Sequence, residues 1–445
     1  MERSLYSSLL KWKGSKNRKP LMLYGARQVG KTYLLKEFGK KEFENMVYVN
    51  CYNNDDIVNL FEADNDVNRI LRGLSALSQE EIKPGKTFIF LDEAQEVPAV
   101  IASLKYFCED APQYIVAAAG SLLGVLNMKG VSFPTGKVDI LHLYPMTFME
   151  FIKAKGLIKL HDLLERGDLG TAESLHSTCE ELLREYYFVG GMPEVVKTYI
   201  DNKNVNDVRT IQNNILLAYE ADMAKHAGRD AVKVRMIFQS IPSQLAKDNS
   251  RFLFGALKSG SRSADYETSI QWLVDAGLVY KVPDLTKVAM PLTFYMERNR
   301  FKLFLLDVGL LGAISKVPPA LILVGNNIFS EYKGAFTENY VLTQLVTLDD
   351  KVIGYYTKEK SSLEIDFILQ YRERIFPIEV KAEENVKSKS LSQFIRIDNK
   401  DSGLHGYRIS MKGFVNQDWM TNIPLYAVLP YFKNINTNQD PPEFL

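Results

Sequence analysis

The stretch Gly25-Ala-Arg-Gln-Val-Gly30-Lys31-Thr32 constrains this chain more than any other. It fits G-x-x-x-x-G-K-[ST] at every fixed position, between the apolar run "PLMLY" and the amphipathic run "TYLLKEF". A strand, a glycine-rich turn and a helix in that order can wrap backbone N–H groups around phosphate oxygens, and the helix N-terminus adds partial positive charge. The sequence therefore predicts a nucleotide loop formed by Gly25, Ala26, Arg27, Gln28, Val29, Gly30, Lys31, Thr32 and Tyr33. Lys31 is expected to reach the β- and γ-phosphates of ATP as a point charge, and Thr32 to offer its hydroxyl to Mg²⁺. Arg27 is expected to be a solvated side chain of that loop.

Such a loop needs an acid at the end of a neighbouring buried strand. "TFIFLDE" supplies one: Phe88 to Leu91 carry Asp92 to the C-terminal end of a strand, where open α/β sheets bind ligands. Asp92 is expected to hold Mg²⁺ through water, and Glu93 to orient or deprotonate the attacking water. The next apolar run, "YIVAAAGS", ends at Ser121, whose hydroxyl is placed to sense the γ-phosphate. Asn50, at the end of "NMVYVN", reads as a turn residue.

Around these motifs, residues 20–145 alternate short apolar runs with amphipathic stretches, which argues a parallel sheet covered on both faces. From 148 to 228 the strand signals stop and helical periodicity takes over. From 229 to 315 come helical patterns, then "LVYKVPD", "PLTFYME" and "FKLFLLD" as expected strands, the order of a winged-helix module. "SKVPPALILVGNN" reads as a linker stiffened by Pro318 and Pro319. The final segment opens on a helix, "EYKGAFTENYVLTQLVT", and continues with strands. The tail "NINTNQDPPEFL" is polar and reads as flexible. Lys and Arg number 54, as do Asp and Glu, so no global field favours nucleic acid or an anionic membrane. Cys51, Cys108 and Cys179 fit no metal spacing and read as reduced thiols. No leader-like N-terminus and no apolar run of about 20 residues is present, so a cytoplasmic protein without a membrane partner is expected.

The second constellation is "LEIDFILQYRERIFPIEVKA". Read as two strands and a turn, it places Glu364 and Asp366 on one face of the first strand, and Glu379 and Lys381 on one face of the second. With the turn centred between Arg372 and Glu373, Asp366 falls opposite Glu379, and Glu364 opposite Lys381. Facing Cβ atoms lie about 4.5–5.5 Å apart, so the two carboxylates repel unless one holds a proton or a cation sits between them. Mg²⁺ is the hard cation that suits such oxygens, with Lys381 beside it to orient a water. Glu338, on the preceding helix, is placed to complete a metal set of Glu338, Asp366 and Glu379.

Together, "KPLMLYGARQVGKTYLLKEFGK", "FIFLDEAQEVP", "AAAGSLLGVL", "LYPMTFMEF", "YYFVGGMPEVV" and "FKLFLLDVGLL" resemble the prokaryotic AAA-type ATPases that carry a C-terminal domain of unknown function. That domain in turn resembles the PD-(D/E)XK restriction-endonuclease-like fold. The likeness spans roughly residues 5–415. It implies an α/β fold class: a P-loop NTPase parallel sheet over 1–147, a helical lid over 148–228 and a winged-helix-like module over 229–317. A linker over 318–330, a PD-(D/E)XK-like α/β domain over 331–430 and a flexible tail over 431–445 complete it. In nucleases of that fold a helix Glu, a strand Asp and Glu-x-Lys do the work, here Glu338, Asp366, Glu379 and Lys381, with the metal polarising a phosphodiester. The sequence departs from the pattern at Gly136-Lys137, where many relatives have Gly-Arg; a lysine cannot copy a bidentate arginine finger, so the finger is unassigned.

The leading expectation is an ATP-hydrolysing protein whose nucleotide state controls a nuclease-like domain, with ATP and DNA or RNA as partners and homo-oligomers implied by the resemblance. One rival is a nucleotide-gated switch with a catalytically silent C-terminal domain. Another is a winged-helix DNA-binding regulator. Its candidate recognition helix, "SADYETSIQWLVDAG", shows an acidic outer face poor for phosphate contact, with Lys258 and Arg262 just before it; packing is the favoured role. Gln393 is a further polar candidate after the second constellation.

Overall fold

A computed structural model describes residues 1–121, 133–246, 251–324, 330–382 and 388–435. The chain forms two compact units, Met1–Tyr144 with Asp275–Leu278, and Pro145–Val274 with Val279–Leu445.

The first unit holds strands β1 (Leu21–Tyr24), β2 (Asn45–Asn50), β3 (Thr87–Asp92), β4 (Ile115–Gly120) and β5 (Asp139–His142). They form one sheet in the order β2-β3-β4-β1-β5. Every pairing is parallel. β1, β3 and β4 are buried along their whole length. That is the reason they read as unbroken apolar runs: parallel strands with both faces covered have no wet side to mark with polar residues. The helices are α1 (Leu5–Gly14), α2 (Lys31–Glu42), α3 (Asp55–Glu62), α4 (Val67–Ser78) and α5 (Pro98–Asp110). Side-chain caps start two of them: Asn54 accepts from the Ile57 N–H and Asp66 from the Asn68 N–H. Pro98 starts α5 at a position where its missing N–H costs nothing. α3 and α4 bury Ile57, Phe61, Ile70 and Leu74 in the same core as Val47, Ile89 and Leu91 of the sheet.

The second unit begins with helices α6 (Phe148–Ala154), α7 (Ile158–Glu165), α8 (Leu169–Ser174), α9 (His176–Val189), α10 (Pro193–Asn202), α11 (Val205–His226) and α12 (Ala231–Leu245). Thr147 and Glu150 close a reciprocal capping box at the start of α6. α13 (Glu267–Asp275) follows. It buries Ile270 and Leu273, and the flanking Lys258 and Arg262 are exposed. The strands are β6 (Val279–Leu285), β7 (Met296–Leu305), β8 (Val352–Thr357), β9 (Glu364–Tyr371), β10 (Arg374–Val380), β11 (Gly406–Ser410), β12 (Val415–Asn416) and β13 (Met420–Pro424). The remaining helices are α14 (Val308–Ile314), α15 (Pro319–Val324), α16 (Ser330–Leu345), α17 (Lys389–Gln393) and α18 (Val428–Asn434).

These strands form a single mixed sheet in the order β12-β13-β11-β10-β9-β8-β6-β7. β8, β9 and β10 run as an antiparallel meander, and β11 then lies parallel to β10. The hairpin expected in the winged-helix segment, β6–β7, is the far edge of this sheet, joined to β8 by the one parallel pair Asp284↔Tyr355. Two local expectations need correction. "PLTFYME" is a strand only from Met296; Leu292–Tyr295 form a 3₁₀ turn behind Pro291. The proline-stiffened linker contains helix α15, with Pro319 at its start, where proline is tolerated. The last residues of that linker, 325–327, and the polar tail beyond 435 lie outside the described residues. Among the described residues no helix is long and apolar enough to cross a membrane.

Candidate functional site

The nucleotide loop is built by the junction of β1 and α2. Gly30, with φ 96, caps α2 in the left-handed region that glycine adopts without strain. A Cβ at Gly25 would run into the Leu143 carbonyl oxygen, so the end of β1 can lie this close to residue 143 only as glycine. Inside the loop the Lys31 ammonium is buried and donates to the carbonyl oxygens of Gly25 at 2.8 Å and Ala26 at 2.9 Å. Burial lowers its pKa to about 8, against the pull of Glu93 and Asp92. An ammonium held by two loop carbonyls can exchange them for phosphate oxygens, a stronger charge-assisted pairing.

Asp92 ends β3 as predicted and is 4% exposed. Burial raises its pKa, and the nearby Thr32 hydroxyl opposes that rise. The Tyr48 hydroxyl also donates to Asp92 Oδ2 at 3.2 Å. Thr32 thus acts on Asp92 although 60 positions separate them in sequence, a hydroxyl and a carboxylate of the hard-oxygen kind that Mg²⁺ prefers. Their fit to that ion rests on this donor chemistry. Between β1 and β3 lies β4, so the residue after β4, Ser121, is next to both strand ends.

Gln95 is a residue that the sequence reading missed. Its Nε2 donates to Glu93 Oε2 at 2.6 Å, and its Oε1 accepts from the Ser121 N–H at 3.3 Å. One amide therefore links the two positions expected to address the attacking water and the γ-phosphate. Gly120 makes room for it: a Cβ there would lie 2.5 Å from Gln95 Oε1. Of the other candidates, Tyr33 and Gln28 are exposed and Arg27 is half-buried. Asn50 accepts from the Tyr52 N–H at 3.0 Å, a turn contact. Lys137 pairs with Glu109 at 2.7 Å.

The β9–β10 ladder runs in the expected register, but the expected pairing of Glu364 with Lys381 is not formed: Lys381 lies beyond the end of β10, and Glu364 pairs with Lys302. β9 and β10 pair from Tyr371↔Arg374 to Phe367↔Ile378, and the ladder ends one position short of Asp366 and Glu379. The turn is two residues long without glycine: Arg372 at φ 47 and Glu373 at φ 61 both take the left-handed conformation that a type I′ turn demands. Asp366 Oδ2 accepts from the Val380 N–H at 2.7 Å, and Lys381 Nζ pairs with Glu379 Oε1 at 3.0 Å. Glu338, from α16, joins them: its charge and that of Asp366 act on each other. Burial, then Glu338, raises Asp366 to about 7, with Lys302 and Lys381 opposing. Burial likewise raises Glu338, against Lys302. Glu338 Oε2 and Glu379 Oε2 are buried without a hydrogen-bond partner among the described residues. Such oxygens are donors of the kind a divalent ion takes, but the carboxylates of Glu338, Asp366 and Glu379 do not all lie within 4.8 Å of one another; among the described residues only His161, Asp162 and Glu165 do. Gln393 is exposed at the end of α17.

The sequence reading also missed Lys302. It lies on β7, 0% exposed, with its Nζ 2.5 Å from Glu364 Oε1 and 3.6 Å from Glu338 Oε2. Burial lowers its pKa, but Glu338, Glu364 and Asp366 outweigh burial and hold the ammonium above its ordinary value.

Comparison with known proteins assigns the N-terminal part. Residues 17–152 match the family described as an AAA domain. Residues 180–321 and 333–428 match two domains of unknown function, DUF8612 and DUF4143. An uncharacterized protein of Methanocaldococcus jannaschii is 22% identical over 360 residues, covering 78% of this chain and 71% of that one. Among solved structures, a Walker-type ATPase of Pyrococcus abyssi aligns at 13% identity and a TM-score of 0.44, over 71% of this chain and 95% of that one. The Aeropyrum pernix Orc1 protein, solved in complex with DNA, aligns at 15% identity and a TM-score of 0.26, over 73% and 95%. The chain carries an AAA-type, nucleotide-binding P-loop domain.

Proposed function

We propose that this chain hydrolyses ATP in a Mg²⁺-dependent manner at the β1–α2 loop, and that its nucleotide state governs a nuclease-like site in the second unit. The observation that carries the first half is the buried Lys31 ammonium held on the Gly25 and Ala26 carbonyls, with a buried Asp92 ending β3. On this reading Thr32 and Asp92 would hold the ion, which would supply positive charge to offset that of the transferring phosphoryl group. Lys31 leaves the Gly25 and Ala26 carbonyls for the phosphates. Glu93 takes the proton of the attacking water, and Ser121 donates to the γ-phosphate. The test is ATP turnover by Lys31→Ala: loss of at least about 100-fold in kcat/KM is expected from removing a charge that stabilises the transition state. Turnover equal to the wild type would remove the assignment.

A reading of the second unit as a phosphodiester-cleaving domain is supported by the order α16, β8–β9–β10 meander, α17 and parallel β11, with Lys381 paired to Glu379 and the charges of Glu338 and Lys381 acting on Asp366. Glu338, Asp366 and Glu379 would hold a divalent ion there, whose chemistry is to polarise a phosphate ester. Lys381 would orient the water. Incubation with DNA and RNA, with Mg²⁺ or Mn²⁺, with and without ATP, decides it. Cleavage lost in Asp366→Ala is the expected result, and failure to cut any substrate favours a silent, nucleotide-gated interaction domain instead.

A further inference from the structure

We infer that Lys302 is the resident cation of the C-terminal acidic cluster and that a divalent metal ion must displace its ammonium to bind there. The inference rests on the metal-site reading of that cluster and adds a gate to it.

An ammonium buried at 0% exposure is unstable unless opposite charge surrounds it. Lys302 meets that need with Glu364 at 2.5 Å, Glu338 at 3.6 Å and the ring of Tyr355 at 5.1 Å from Nζ. Its place is fixed from outside the cluster. β7 is an edge strand, and the backbone of Leu305 is satisfied by a side chain rather than by another strand. Asn339 Oδ1 accepts from the Leu305 N–H at 2.9 Å, and Asn339 Nδ2 donates to the Leu305 carbonyl at 3.1 Å. Asn339 adjoins Glu338 on α16, so the contact that clamps β7 to this helix also carries Lys302 to the carboxylate next in sequence.

Glu338 is claimed twice. It is the helix carboxylate that a metal ion held with Asp366 and Glu379 requires, and it is a partner of Lys302. Placing a second cation against the same oxygen would set two positive charges close together in a site that water does not screen. The ammonium must swing away, or the metal stays out. Lys381 is different: it pairs with Glu379 at the other side of the hairpin and is about one-third exposed, so it has room to move.

The test is titration calorimetry of the full chain with Mn²⁺ alone. Wild type, Lys302→Met and Lys302→Gln are compared, each also in an Asp366→Asn background so that only heat lost with Asp366 is counted. At least tenfold tighter Mn²⁺ binding in the Lys302 variants is expected. Thermal unfolding gives a second readout: both variants should melt lower than wild type in chelator and gain more from Mn²⁺ than wild type does. Equal or weaker binding in both variants overturns the inference while leaving the metal site intact. Binding only in the variants supports it and removes the reading of the native cluster as a metal-dependent site. Binding in none overturns both.

Discussion

At Glu93 the backbone enters the left-handed region, φ 51, which costs a residue with a Cβ about 1 kcal/mol. The turn it makes starts a 3₁₀ segment, Ala94–Glu96, and brings Gln95 back over Glu93. The strain thus accompanies a useful alignment: a carboxylate held by an amide that also touches the end of β4. Gln95→Ala is expected to lower kcat for ATP hydrolysis by about 10- to 100-fold through misplacement of Glu93, with KM changed far less. Steady-state kinetics and a separate nucleotide-affinity measurement check it; an unchanged kcat would reduce Gln95 to a packing residue. This scale was half legible from sequence. The loop at 25–32 was readable because its chemistry depends on residues adjacent in the chain. Asp92 was readable because a strand end is visible as the end of an apolar run. Gln95 was not, because its role depends on one positive φ at Glu93, which "DEAQ" does not announce.

At the level of strands, Asp284 does for β6 and β8 what a ladder ordinarily does. Only one residue pair joins them, and the Asp284 carboxylate adds the missing bonds. It accepts from the Thr357 hydroxyl at 2.7 Å, from the Thr357 N–H at 3.2 Å and from its neighbour Leu285 at 3.0 Å, and pairs with Arg300 at 3.1 Å. Pro283 explains why the ladder is irregular here: it cannot donate, and the β6–β7 register shifts between Pro283 and Asp284. Asp284→Ala is expected to cost about 3 kcal/mol or more, since Arg300 and Thr357 lose a buried anionic partner. Urea unfolding of the full chain measures it, and a loss below about 0.5 kcal/mol, the size of an ordinary surface change, would refute it. The β9–β10 register, by contrast, could be read in advance, because period-two alternation and a central turn at 372–373 leave little freedom. Lys302 could not be read in the same way. Nothing in "RFKLFLLD" tells an edge-strand lysine from a solvated one; that is decided by Asn339, 37 residues later in the sequence.

For the whole chain, the alternation of runs over residues 20–145 announced a parallel sheet, and the sheet found there is parallel throughout. The larger sheet was harder to foresee. Its strands come from residues 279–305 and 352–424, with helices α14 to α16 between, and pairing across such a gap leaves no local mark. The nucleotide unit is itself discontinuous in sequence. It includes Asp275–Leu278, and a Cβ at Gly277 would lie 3.5 Å from the Ala26 N, within the phosphate loop. A fragment ending at residue 144 lacks that stretch and is expected to bind ATP at least about tenfold more weakly than the full chain, a difference of about 1.4 kcal/mol. Fluorescent-nucleotide titration of both proteins checks this.

The stretch at 275–278 has one more implication. At Gly277 the backbone takes φ +71, a conformation that glycine adopts without strain, and its Cα faces the Ala26 backbone with no side chain between them. Gly277→Val would both strain that turn and push a branched side chain toward the loop that Lys31 and Thr32 close, so the loop's shape depends on a residue about 250 positions away in sequence.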